Sequence, residues 1–100
     1  MNKSLFHLLV VDDDNKIRDL VKQYLMENSF LITTAKDAED AKDKLKIIKF
    51  DLLIFDIMMP GQSGLALTKE IKKDNSTPII LLKTFLNFTT ESESEFFKAL

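Results

Sequence analysis

Apolar residues fall along this chain in two kinds of pattern that alternate. Leu5 to Val11 is apolar almost throughout, which predicts a strand buried on both faces. After three consecutive aspartates, Ile17, Leu20, Val21, Tyr24 and Leu25 recur at helical spacing, with Asp14 or Asn15 placed to cap the first turn. That helix is expected to end near Asn28 and Ser29. Leu31 to Ala35 is short and rich in β-branched side chains, a second strand. Asp37 stands as N-cap ahead of Ala38, Ala41, Leu45 and Ile48, one apolar line on a helix whose run from Lys36 to Lys49 alternates in charge and reads as a solvated face. The third strand is expected over residues 51–55, where Leu52 to Phe55 are apolar without a break. Pro60, Gly61 and Gly64 mark a loop, and Ser63 or Gly64 opens a helix through Leu67 and Ile71 that closes near Asp74, Asn75 and Ser76. Thr77 and Pro78 lead into a fourth strand, Ile79 to Leu82, because proline is tolerated at a strand's first position.

Strand and helix therefore alternate as β-α-β-α-β-α-β. Connections this short demand right-handed crossovers and a parallel sheet, which makes the fold class α/β. Beyond Leu82, Thr90 to Glu93 fits a capping box ahead of Phe96, Phe97 and Leu100, so a fourth helix is expected to start there. No internal repeat, linker or low-complexity tract divides the sequence, and residues 1–100 read as one domain.

Composition narrows the class. One hundred residues lie near the lower edge of sizes that bury a good core unaided. With 45% hydrophobic and 30% charged residues the chain is globular, not disordered. A formal net charge of -2 gives no basic footprint for nucleic acid. The absence of cysteine excludes disulfides and thiolate metal sites. The first eight residues lack the long apolar stretch of a signal peptide, and no run is long enough to span a bilayer. A cytoplasmic domain without a membrane partner is expected. His7, among apolar neighbours and with no second histidine to help it, is expected to be a packed or surface side chain and not to bind metal or carry phosphate. Met58 and Met59 are expected to fill the loop.

The chemistry lies in the carboxylates. The strand at 8–11 runs into Asp12, Asp13 and Asp14, and the strand at 52–55 runs into Asp56. In an open parallel sheet, ligands sit outside the carboxyl ends of the strands. If these two strands are neighbours, Asp12, Asp13 and Asp56 converge. Crowded carboxylates respond by raising a pKa or by binding a hard divalent cation, for which oxygen donors suit Mg2+. With the cation present, Asp56 can act as a carboxylate nucleophile toward a phosphoryl group. Taken alone, the three N-terminal acids would suit helix capping and Asp56 an ordinary turn. Their joint placement before Pro60 and Gly61 favours the pocket.

These residues resemble the receiver domain of two-component response regulators, a CheY-like superfamily. The match is strongest over residues 5–82: Leu9-Val-Val-Asp-Asp-Asp14, then Asp51-Leu-Leu-Ile-Phe-Asp-Ile-Met-Met-Pro-Gly61 with Gly64. The resemblance implies a flavodoxin-like, doubly wound parallel sheet of order 2-1-3-4, with the family's fifth strand and fifth helix missing from an incomplete receiver. It implies Asp56 as phosphoacceptor, and Asp12 and Asp13 as the acidic pair serving Mg2+, Asp13 directly and Asp12 largely through water. Met58 would add its backbone carbonyl to the metal, and Pro60 and Gly64 would shape the loop. At the end of the fourth strand the family carries a switch hydroxyl. Here Thr84 is expected to be that hydroxyl, with Lys83 an extra residue; the alternative is that Lys83 occupies the position itself.

The implied role is a phosphoacceptor in a phosphorelay, taking its phosphoryl group from a sensor histidine kinase or phosphotransfer protein, and not a dedicated enzyme. The family's Lys-Pro segment, which would read out the phosphoryl group, has no counterpart, and the open edge of the fourth strand beside Phe85, Phe88, Phe96 and Phe97 invites self-association. A second reading is a truncated receiver remnant that is never phosphorylated and acts only in protein–protein contact or without function. A third, an aspartate-nucleophile phosphohydrolase of the haloacid-dehalogenase type, rests only on Asp12-x-Asp14, and Lys16 departs from that pattern.

Overall fold

Each helix begins where a side-chain oxygen can take up the first backbone amides. In the computed structural model, which describes residues 5–83, Asp14 accepts from Lys16 and Ile17 at the start of α1 (Asn15–Glu27). Asp37 accepts from Asp40 at the start of α2 (Ala38–Ile47), and Ser63 accepts from Ala66 at the start of α3 (Gly64–Ile71). Between them lie β1 (His7–Val11), β2 (Leu31–Ala35), β3 (Leu52–Asp56) and β4 (Ile79–Leu82). The four strands form one parallel sheet in the order β2-β1-β3-β4. β1 and β3, the strands that end in acids, are adjacent at its centre.

The alternation of side chains along a strand divides the core into two layers. On one face Leu9, Val11, Leu53 and Phe55 pack with Ala38, Ala41, Leu67 and Ile71, joining α2 and α3 to the sheet. On the other face Leu8, Val10, Ile54 and Leu82 pack with Ile17, Val21 and Leu25 of α1. Helices on both faces of a parallel sheet define a doubly wound α/β fold of the flavodoxin-like kind. Lys42 of α2 reaches Glu70 of α3 at 3.4 Å, and Gln62 donates to the same carboxylate at 2.8 Å.

Several boundaries differ from the sequence reading. β1 starts at His7, not Leu5: Phe6 is 63% exposed, although its carbonyl still accepts from Leu31. β3 starts at Leu52 and includes Asp56, while Asp51 closes the strand's entrance by accepting the His7 amide on its side chain at 2.8 Å. α3 stops at Ile71. Past it, Lys73 and Asp74 turn back on residues three positions earlier, because Lys72, Lys73 and Asp74 are all exposed and give a further helical turn nothing to bury. In α1 the buried positions are Ile17, Val21 and Leu25; Tyr24 faces outward. His7 packs as expected, its ring edge-on to Phe50 at 4.8 Å and its Nε2 2.7 Å from Thr33 Oγ1. The helix start at Thr90 to Glu93 and the aromatic residues from Phe85 onward lie outside the described residues. Among the described residues, no helix is long and apolar enough to cross a membrane.

Candidate functional site

The end of β1 divides its three aspartates between two tasks. Asp14 is the helix cap, its Oδ1 accepting the amides of Lys16 at 2.9 Å and Ile17 at 3.1 Å. Asp12 continues the sheet by donating its amide to the Ala35 carbonyl at 3.1 Å, and its Oδ1 accepts the Asp14 amide at 2.9 Å. Asp13 is exposed. Capping accounts for Asp14 alone and leaves the other two free of the helix end. Asp14→Ala is accordingly expected to cost about 1 kcal/mol of stability without abolishing a Mg2+ response, read by urea unfolding with and without the cation. Loss of the cation response would show that the division of tasks is wrong.

Asp56 is the last residue of β3, level with Leu82 of β4. Its Oδ1 accepts the Met58 amide at 3.3 Å. Asp12 and Asp56 are 3% and 4% exposed, and together with Asp13 they place one carboxylate oxygen each within 4.8 Å of one another. The Asp12 carboxyl is pushed up to about 7, chiefly by burial; the hydrogen bond from Asp14 opposes the rise, and the charges of Asp56, Asp13 and Asp14 add to it. Such a set of hard oxygen donors, two dry and one open to solvent, fits a hard divalent cation with retained water. The structure thus brings together Asp12, Asp13 and Asp56. Met58 stands two residues beyond Asp56, with its side chain 74% exposed, so only Met59 of the two methionines fills the core. Thr84 lies outside the described residues.

Two features were not legible from spacing. Arg18, one turn into α1, donates to the Asp12 carbonyl at 2.8 Å and also to Asn15 Oδ1. It tethers the loop that carries Asp12 and Asp13; a cation six residues beyond the first acid was the available signal. Gly64 donates its amide to the Ile57 carbonyl at 2.9 Å and sits so close to the end of β3 that a Cβ there would lie 2.0 Å from the Asp56 carbonyl oxygen. Gly61 supplies the loop's left-handed residue, at φ +78°.

Fold and site define a doubly wound α/β domain whose central strands present a carboxylate cluster suited to a divalent cation. Residues 8–96 match the response regulator receiver domain, and the chain belongs to that family. It is similar to protein PetR of Rhodobacter capsulatus, 45% identical over 82 residues, which is 82% of this chain and 35% of PetR. It is also similar to response regulator TrrA of Thermotoga maritima solved in complex with Mg2+-BeF, at TM-score 0.77 and 39% identity, covering 92% of this chain and 81% of TrrA. TrrA in complex with histidine kinase ThkA matches at TM-score 0.76 and 39% identity, covering 92% of this chain and 80% of that one. The chain spans about a third of the length of the curated relatives it matches, 35% for PetR and 31% for ResD of Bacillus subtilis.

Proposed function

We propose that this chain is a phosphoacceptor module of a two-component phosphorelay, in which Asp56 takes a phosphoryl group from a sensor histidine kinase or phosphotransfer protein. The observation that carries this is the convergence of Asp12, Asp13 and Asp56 within 4.8 Å at the carboxyl ends of two neighbouring strands. Family membership and the kinase complex of TrrA support it. Asp12, Asp13, Asp56 and the Met58 carbonyl would hold Mg2+. When bound, the cation supplies positive charge against the oxygens of the transferring phosphoryl group.

The chain's own residues do the rest. An Asp56 carboxylate oxygen forms the new bond to phosphorus as the bond from phosphorus to the donor's nitrogen breaks, and the electron pair leaves with that nitrogen. The Met58 amide, on Asp56 Oδ1, orients the carboxylate for that attack. Burial of Asp12 and Asp56 keeps bulk water from the reacting centre. The chain is an acceptor in this step and not a dedicated enzyme; a cytoplasmic site of action fits a partner kinase's catalytic side, and the sheet edge that no described residue covers would be its route to self-association.

Incubation with acetyl phosphate and Mg2+ should add the mass of one acid-labile phosphoryl group to the wild-type chain and none to Asp56→Asn. A folded wild-type chain whose mass does not change, or an Asp56→Asn chain that still gains the group, would refute the assignment.

A further inference from the structure

Three hydrogen bonds fix Asp12. Its amide donates to the Ala35 carbonyl at 3.1 Å, its Oδ1 accepts the Asp14 amide at 2.9 Å, and its carbonyl accepts from Arg18 Nη1 at 2.8 Å. Of these, the third comes from a side chain. Arg18 is half-buried one turn into α1, where its own amide donates to the Asp14 carbonyl at 2.9 Å. Its second guanidinium nitrogen donates to Asn15 Oδ1. A planar fork held at both tips keeps one orientation, which a lysine ammonium in its place would not.

The bond to the carbonyl bears most on Asp13. That residue is exposed, so packing does not fix its side chain. Its direction follows from the peptide that joins it to Asp12, and Arg18 holds the carbonyl of that peptide. Charge argues the other way. Asp12, Asp13 and Asp56 bring carboxylate oxygens within 4.8 Å of one another. By Coulomb's law alone, removing a neighbouring guanidinium would ease the approach of a divalent cation. Position and charge thus give opposite signs for the same substitution.

We propose that Arg18, steadied by Asn15, is a positioning residue of the cation site: it fixes the Asp12–Asp13 peptide, aims the Asp13 carboxylate into the cluster, and so strengthens Mg2+ binding although its own charge opposes it. The inference rests on the cluster being the Mg2+ site of the phosphoacceptor reading. Mg2+ and Ca2+ serve as separate probes, each titrated into the full chain. Arg18→Met, which keeps an unbranched stem without charge or donors, is expected to weaken Mg2+ binding about tenfold, as loss of a partner behind a metal ligand does. Ca2+ tolerates irregular coordination where Mg2+ demands an octahedron, so its loss should be no more than about threefold. Asn15→Ala, at an exposed position, tests the same link without touching the core. It should weaken Mg2+ binding about threefold in the wild-type background and add nothing to Arg18→Met, because both act through one contact. Mg2+ binding by Arg18→Met as tight as the wild type or tighter would overturn the proposal. Equal losses for both cations would also overturn it, as would an Asn15→Ala chain with unchanged Mg2+ affinity. A wild-type chain that does not bind Mg2+ would take down the metal site of the phosphoacceptor reading as well, whereas tighter binding in Arg18→Met refutes this inference alone.

Discussion

Gly64→Ala is expected to destabilise the domain by at least about 3 kcal/mol, the range of substitutions that force a backbone clash or strain a buried site. The added Cβ would lie 2.0 Å from the Asp56 carbonyl oxygen, 2.8 Å from its carbon and 3.1 Å from the Ile57 Cα. All three atoms belong to the backbone, so no side chain can swing aside. Either the start of α3 lifts, which breaks the Gly64 amide bond to Ile57, or the end of β3 shifts, which moves Asp56 itself. Binding of Mg2+ should therefore weaken along with stability. Gly61→Ala is the control. Nothing lies within 4 Å of its Cβ, and only the left-handed backbone at φ +78° penalises it, by about 1–2 kcal/mol. Urea unfolding of both variants decides the point: a Gly64→Ala chain no weaker than Gly61→Ala would show that the close approach does not constrain the site.

Asp12→Asn should act in the opposite direction, stabilising the metal-free protein above neutral pH by on the order of 1–2 kcal/mol. In the folded chain the Asp12 carboxyl is raised from 3.8 to about 7, by burial first and by the neighbouring acids after it. A raised carboxyl holds its proton better folded than unfolded, so stability is greatest below about pH 4 and falls as pH climbs toward 7. Asp40 and Glu70 lie outside this window. Desolvation pushes Asp40 up, but the Lys36 amide and Lys44 outweigh it, and the bonds from Gln62 and Lys42 hold Glu70 low despite some desolvation. Their contributions are lost only as pH drops through the acid range. Between pH 5 and pH 8 the metal-free wild type should therefore lose stability, and Asp12→Asn should lack that part of the slope. Mg2+ should restore wild-type stability at pH 8 by linkage, bind more tightly as pH rises because protons and cation compete, and do little for the variant. Equal slopes in wild type and variant across that range, measured by urea unfolding, would remove Asp12 from the account.

The elements were legible where local chemistry and burial agreed. The strand 79–82 and the strand 31–35 match their sequence reading residue for residue, because an apolar or β-branched run that stops at a lysine leaves little choice. Asp37 signalled its helix start directly; at the other two the sequence offered Asp14 or Asn15 and Ser63 or Gly64, and the caps are Asp14 and Ser63, each with an oxygen where the first amides need one. The helix end after Ile71 was not legible. Lys72 to Asp74 can continue a helix or leave it, and only the lack of a surface to cover decides. Convergence of Asp12, Asp13 and Asp56 could be anticipated once their two strands were taken as neighbours. The packing of Gly64 on the Asp56 carbonyl could not, because it depends on how closely α3 approaches β3. The split between a buried Met59 and an exposed Met58 is likewise a matter of how the loop turns, which composition leaves open.

Among the described residues, the two acid-bearing strands are also the ones hydrogen-bonded on both flanks, β1 between β2 and β3, β3 between β1 and β4. Spreading Asp12 from Asp56 would mean tearing the middle of the sheet, so the seat of the charge is the stiffest part of the described fold. Any displacement that follows a change of charge there must be absorbed by what hangs off that frame: the 57–63 turn and the first turn of α1. Amide exchange should show the same division, slow at residues 8–11 and 53–55, and altered by ligand chiefly in those outlying segments.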